Sequence, residues 1–251
     1  MPERGTVLLL HGAWQGAWVW ASQIAALQAA GWVPRALDLP GNGVDGRAPG
    51  DVRFADHVAH ARDWLLAADG PVRIVAHSGA GVLATQLAED HPDRVAQVIH
   101  VAGMMLPSGV TFAEFIAPHV ADDPAATGIT AFLRDVPGGT EVPADAACRV
   151  FYHDCPPEAA RAAAARLTPQ GAAVRAPRVM HTAARAGSVP RGYVRCGADR
   201  SVVPPVQDAM CAAWPGALVV RLDCGHAPML AAPDALARTL CGLLDGVTEC
   251  A

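Results

Sequence analysis

The sequence predicts an α/β protein: a mostly parallel sheet of about six strands, flanked by helices, with a helical cap inserted into it. Three observations carry this. Short apolar runs alternate with amphipathic stretches up to Gly103, the alternation lapses through an Ala- and Pro-rich middle, and it resumes near Tyr193. Strands that alternate with helices of about 10 to 15 residues need crossover connections, and those connections make the sheet parallel.

The elements follow in order. Residues 6–10 form an unbroken apolar run and read as a buried strand; 18–30 read as a helix that Gly31 stops. Residues 33–39 are the next strand, closed by Pro40-Gly41-Asn42-Gly43, and 54–68 a helix that Gly70-Pro71 ends. Strands are expected at 72–76 and 95–102, with a helix over 79–89 between them. Helical patterns occupy 112–119, 144–152 and 157–167 of the middle stretch, which shows no convincing strand. A strand at 193–196, a helix over 205–214, a strand over 217–222 and a helix over 233–244 complete the sheet. Residues 1–103 and 188–251 are thus one α/β core, and 104–187 its cap.

Bulk composition narrows the function. The chain has 251 residues, enough for one large core, with 52% hydrophobic and 17% charged residues. Its formal charge is −5 and no basic cluster occurs, which argues against a nucleic-acid partner. All 19 basic residues are Arg, so Schiff-base chemistry and a phosphate-binding P-loop lysine are excluded. Met1 to Arg4 precede the first strand, with neither a signal-peptide pattern nor a span of apolar residues long enough for a membrane. Seven scattered cysteines (Cys148, Cys155, Cys196, Cys211, Cys224, Cys241, Cys250) lack metal-ligand spacing and read as free thiols in the cytoplasm. No metal site and no cofactor are expected; a homodimer is left open.

The chemistry concentrates at three strand ends. Ala76-His77-Ser78-Gly79-Ala80-Gly81 follows an apolar strand and opens a helix. A serine at the tip of such a turn is exposed for nucleophilic attack when small residues flank it, usually as G-x-S-x-G. Here Ala76 and Ala80 replace the outer glycines. Residues 79–84 also fit a dinucleotide fingerprint, G-x-G-x-x-A, but the next strand ends at Ala102-Gly103 without the acid a ribose needs. The loop Leu10-His11-Gly12-Ala13-Trp14 follows the first strand, and the amides of Ala13 and Gly79 are the candidate oxyanion donors. His11 is read as structural. His226, after the last strand and preceded by Gly225, is the candidate base. Asp199, after the preceding strand, is the acid that would orient it, giving the order Ser, Asp, His. Asp223 lies too close in sequence to His226 for that task, and His153-Asp154 is read as a hydrogen-bonding pair within the cap.

Together these motifs resemble the α/β-hydrolases related to plant methylesterases and hydroxynitrile lyases. Val7 through Trp18, Ala36-Leu37-Asp38-Leu39-Pro40-Gly41, Phe151 through Glu158, and Asp199 through Met210 carry the likeness, with Gly225-His226 and Pro233 beyond. The resemblance implies the α/β-hydrolase fold, Ser78, Asp199 and His226 as triad, and Ala13 and Gly79 as oxyanion donors. Hydroxynitrile lyases of this group carry threonine where Gly12 stands and lysine where Ala227 stands, so the lyase reaction is disfavoured.

The expected activity is therefore cleavage of a small or medium, largely apolar carboxylic ester, such as a methyl ester or lactone, through an acyl-enzyme. Gly12, Trp14, Met104, Met105, Phe112, Phe115 and Phe132 are the candidate pocket residues. Two alternatives remain at this stage: a ligand-binding receptor or low-turnover scaffold on the same fold, and a triad recruited for a non-hydrolytic step such as cyclisation or elimination.

Overall fold

The unbroken apolar run Thr6–Leu10 forms β1, buried on both faces as a central parallel strand must be. The structure, a computed structural model, describes residues 4–246; Met1–Glu3 and 247–251, with the expected free thiol of Cys250, lie outside the described residues. After β1 come α1 (Ala21–Ala29), β2 (Val33–Leu37), α2 (Phe54–Ala67), β3 (Val72–His77), α3 (Ala80–Asp90) and β4 (Val95–Val101). The expected helix over 18–30 is divided, since Ala17–Trp20 is a 3-10 turn leading into α1.

Beyond an insertion, the chain returns through β8 (Arg191–Cys196), α7 (Pro204–Ala213), β9 (Ala217–Leu222), α8 (Pro228–Ala231) and α9 (Pro233–Leu244). The six long strands pair in parallel in the order β2-β1-β3-β4-β8-β9. The chain moves outward from β1 in both directions. The carboxyl ends of the strands at that switch open a crevice, the usual ligand site of such sheets.

Alternation along the strands divides the core into two layers. Val7, Leu9, Val75 and Ile99 pack with Leu236 and Leu240 of α9, whose spacing of four places them on one helix face. Leu8, Leu10, Ile74 and Val98 face the other way, onto Leu65 of α2 and Leu83 and Leu87 of α3.

The insertion between β4 and β8 carries α4 (Phe112–Asp122), α5 (Ala144–Val150) and α6 (Pro157–Ala164). It is not wholly helical. β5 (Arg134–Val136), β6 (Gly139–Glu141) and β7 (Gln170–Gly171) form a small antiparallel sheet. Strands of two and three residues are too short to show an alternating pattern, which is why the sequence hides them. The visible trace was the Pro137-Gly138 turn, where Gly138 takes φ 78°.

Candidate active site

The turn from β3 into α3 places Ser78 at φ 51°, a left-handed conformation that costs a non-glycine residue roughly 1–2 kcal/mol. Neighbouring backbone holds it there. The Ser78 amide donates to the Val101 carbonyl at 3.1 Å, and the Met104 amide donates to the Ser78 carbonyl at 2.9 Å. Ala76 and Ala80 are both buried without displacing the turn. The close approach falls instead on Gly81, where a Cβ would lie 2.7 Å from the Met104 carbonyl oxygen. The glycine requirement is thus met one position further along the helix than in the usual motif.

His226 and Asp199 meet Ser78 from the loops after β9 and β8. The Ser78 hydroxyl donates to His226 Nε2 at 3.1 Å, and His226 Nδ1 donates to Asp199 Oδ2 at 2.8 Å. Asp199 is buried, so its charge needs donors. The amides of Ser201 and Val202 donate to Oδ1 at 2.7 and 2.9 Å, and Gln207 Nε2 reaches Oδ2 at 3.4 Å. Three residues separated by up to 148 positions therefore form a Ser–His–Asp triad at one edge of the sheet.

Two further side chains fix the imidazole. The Phe151 ring stacks on His226 with centroids 5.2 Å apart, and His77 lies 4.7 Å away on a tilted plane. His77 Nε2 lies 2.8 Å from the His226 carbonyl and Nδ1 2.9 Å from Gln15 Oε1, joining the base loop to the β1 loop. Burial first, and the adjacent His226 second, hold the His77 imidazole well below its usual range. His11 is likewise structural in its contacts: Nε2 accepts the Leu39 amide at 3.0 Å and Nδ1 donates to the Gly12 carbonyl at 2.8 Å.

Gly79 lies against the Ala13 backbone: a Cβ built on Gly79 would be 3.9 Å from Ala13 N. Neither residue's amide donates to a protein acceptor among the described residues. The next amide, of Trp14, is already taken by Gln170 Oε1 at 3.0 Å. Gly12 has no space for a side chain, because a Cβ would sit 2.8 Å from His77 Nδ1 and 3.0 Å from Ser78 Cβ. The threonine that hydroxynitrile lyases carry there would not fit.

A cavity of about 110 Å³ opens over Ser78. Of the residues expected in its wall, Gly12, Trp14, Met104 and Phe112 line it. Met105, Phe115 and Phe132 do not. Met105 is fully buried in the cluster around Tyr193 and Val206, one residue beyond the wall. Phe115 is carried along α4 toward that same cluster and its own His119. Phe132 is 41% exposed, under the Arg149 guanidinium. Sequence reasoning missed Phe54, Ile129, Phe151, Val174 and Val202, which form much of the rest of the apolar wall. Only Phe151 and Val202, inside motifs already singled out, carried any signal.

His153 and Asp154 correct a further expectation. They do not form a pair within the cap; each reaches a different core loop. His153 Nε2 donates to the Ala198 carbonyl at 2.9 Å, next to Asp199. The Gly225 amide, next to His226, donates to Asp154 Oδ2 at 2.5 Å. A Cβ on Gly225 would lie 2.6 Å from Asp154 Oδ1, which explains the glycine before the base.

Comparison with known proteins agrees with this geometry. Residues 7–239 match the model of the alpha/beta hydrolase family. The chain belongs to that family. Over 256 residues it is 27% identical to a pyrethroid hydrolase of Sphingobium wenxiniae, covering 97% of this chain and 89% of that protein. Methylesterase 7 of Arabidopsis thaliana is 27% identical over 261 residues, 95% of each chain. The crystal structure of a pyrethroid hydrolase from Sphingobium faniae superposes with a TM-score of 0.81 at 26% identity, over 96% of this hydrolase and 97% of the other. No helix among the described residues is long and apolar enough to cross a membrane.

Proposed function

We propose that this hydrolase cleaves a small or medium, largely apolar carboxylic ester through an acyl-enzyme, with Ser78 as nucleophile, His226 as base and Asp199 as the orienting acid. The observation that carries the reading is the unbroken hydrogen-bond chain from Ser78 through His226 to Asp199, opening onto an apolar cavity. Ser78 Oγ attacks the ester carbonyl while His226 Nε2 takes its proton, and the carbonyl oxygen becomes an oxyanion facing the amides of Ala13 and Gly79. The tetrahedral adduct collapses, His226 returns the proton to the departing alcohol, and Ser78 is left acylated. Water, deprotonated by His226, then releases the acid and restores the hydroxyl. Asp199 keeps Nδ1 protonated, so Nε2 is the nitrogen free to act as base.

The cavity volume of about 110 Å³ suits one compact apolar group, since an apolar cavity of roughly 150 Å³ accepts benzene. The relatives are a pyrethroid hydrolase and a methylesterase, and pyrethroids and methyl esters are both esters with apolar parts, which supports the same class. We place the enzyme in the cytoplasm, acting on a free small molecule; the six described cysteines, all free thiols, fit a reducing compartment. A fluorophosphonate probe should label Ser78 and fail to label Ser78→Ala. An ester panel varied in acyl and alcohol size should show turnover that peaks at small and medium esters that are apolar around the scissile bond. Absence of labelling in folded protein would overturn the reading.

A further inference from the structure

The cavity wall is mostly apolar, with neutral polar groups from Asn42, Thr127, Thr130, Gln170 and Ser201 and a single arginine. Arg175 follows the 3-10 turn Ala172–Val174 and lines the cavity from the insertion side. Its guanidinium lies over the Trp14 ring at 5.2 Å, and its one hydrogen bond among the described residues is a long one, Nη1 to Thr140 Oγ1 at 3.4 Å. The other half-buried or buried-stemmed arginines are spent differently. Arg195 grips Asp208 at 2.7 and 2.8 Å, and Arg94 and Arg191 donate to backbone carbonyls. No carboxylate lies within 4 Å of Arg175 among the described residues; burial disfavours the charge of this half-buried guanidinium, and Asp135 offsets that only from a longer distance. A cation taken partly out of water normally recovers the loss from a contacting partner; here the described residues supply only the Trp14 ring, one long hydrogen bond and the more distant charge of Asp135.

The surroundings fix where that charge sits. Trp14 is held on three sides by the insertion: its amide by Gln170, its indole N–H by the Thr140 carbonyl at 3.0 Å, and its ring by Arg175. Trp14 directly follows Ala13, so Arg175 is anchored beside the oxyanion loop and not at a remote rim.

We infer that Arg175 is a recognition site for a carboxylate on the substrate, so that the preferred ester is apolar around the scissile bond and ends in an anionic group. This rests on the ester-hydrolase reading and narrows its substrate class. A planar guanidinium with its other donors free matches a carboxylate in two parallel hydrogen bonds. The formal charge of −5 would otherwise repel such a substrate, which makes one unpaired cation in the cavity decisive for selection.

The test compares monomethyl esters of dicarboxylic acids of four to eight carbons, and acetyl esters of ω-hydroxy acids, with uncharged esters of matched length. At the best length the charged ester should have the higher kcat/KM. That ratio should fall by about tenfold or more in Arg175→Gln and Arg175→Met, and partly recover in Arg175→Lys. Circular dichroism establishes that each variant is folded. Uncharged esters preferred at every length, or a ratio that the variants leave in place, would overturn the proposal. A second measurement does not depend on turnover: calorimetry of an intact monomethyl ester binding to Ser78→Ala, expected to weaken by a similar factor in Ser78→Ala/Arg175→Gln. If the wild type turned over neither series and Ser78 resisted the fluorophosphonate, the hydrolytic reading would fall. The calorimetry would still decide the anion site, with equal binding to both proteins, or none to either, counting against it.

Discussion

The parallel sheet and the insertion contribute to one cavity under different constraints. In the sheet, each reacting group is tied to a strand end: Ser78 after β3, Asp199 after β8, His226 after β9. The insertion has no such lattice, and its wall residues come from α4, the 3-10 stretch Pro124–Phe132 and the turn near Arg175. Strand ends in a parallel sheet fall at fixed spacings, so a triad built on them is both rigid and readable from order alone. A wall built from short helices and turns can change composition without disturbing the chemistry.

The largest test of that contrast lies in the sheet. Ser78→Ala should abolish turnover, and Asp199→Asn should lower kcat by about 10⁴, because an amide cannot hold the imidazole in the required tautomer. Steady-state kinetics on a good ester measure both. An Asp199→Asn enzyme that kept most of its activity would mean that the sheet edge does not dictate the chemistry. Alanine at any one cavity residue of the insertion, such as Ile129 or Val174, should cost far less.

How much was legible follows the same division. Ser78, Asp199 and His226 were found because nucleophile, acid and base each sit where a strand runs out, and the apolar runs mark those ends plainly. Met104 and Phe112 were found by apolar character alone, but that signal also selected Met105, Phe115 and Phe132, which point elsewhere. The difference between Phe112 and Phe115 is the direction a short helix gives each ring: Phe112 reaches the cavity, whereas Phe115 turns to His119. The strands β5–β7 were invisible for their length, and with them the grip on Trp14.

The two regions should also differ in acid. The sheet side buries His11, His57, His77 and His100, each with its imidazole held below the usual range chiefly by burial, His11 to about 4 and His100 to about 3. The unfolded chain binds protons at these sites from pH 6.5 downward while the folded chain does not, so the unfolded state holds more protons and stability rises with pH. Stability is therefore full above about pH 6.5 and lost as pH falls toward 4. His11 alone accounts for roughly 3 kcal/mol of that loss, at 1.36 kcal/mol per unit. Thermal melts between pH 7 and pH 4 should show the midpoint falling steeply. A flat profile would mean these histidines are hydrated, and the sheet side less closed than its burial indicates.

The smallest effect concerns a second place, besides the Phe151 ring, where the insertion touches the loops of the triad. Asp154 accepts the Gly225 amide and His153 donates to the Ala198 carbonyl, so a single dipeptide ties the loops of both base and acid. Asp154 is exposed, and an exposed carboxylate contributes less than a buried one, so Asp154→Ala should lower kcat by only about tenfold. Asp154→Asn keeps an acceptor oxygen and should recover much of the loss. If the dipeptide positions the base, kcat falls while KM holds, because the cavity wall is untouched. If it merely stabilises the insertion, the melting temperature falls and KM rises as wall residues shift. A loss confined to KM would place Asp154 with the wall and leave the sheet as sole keeper of the triad.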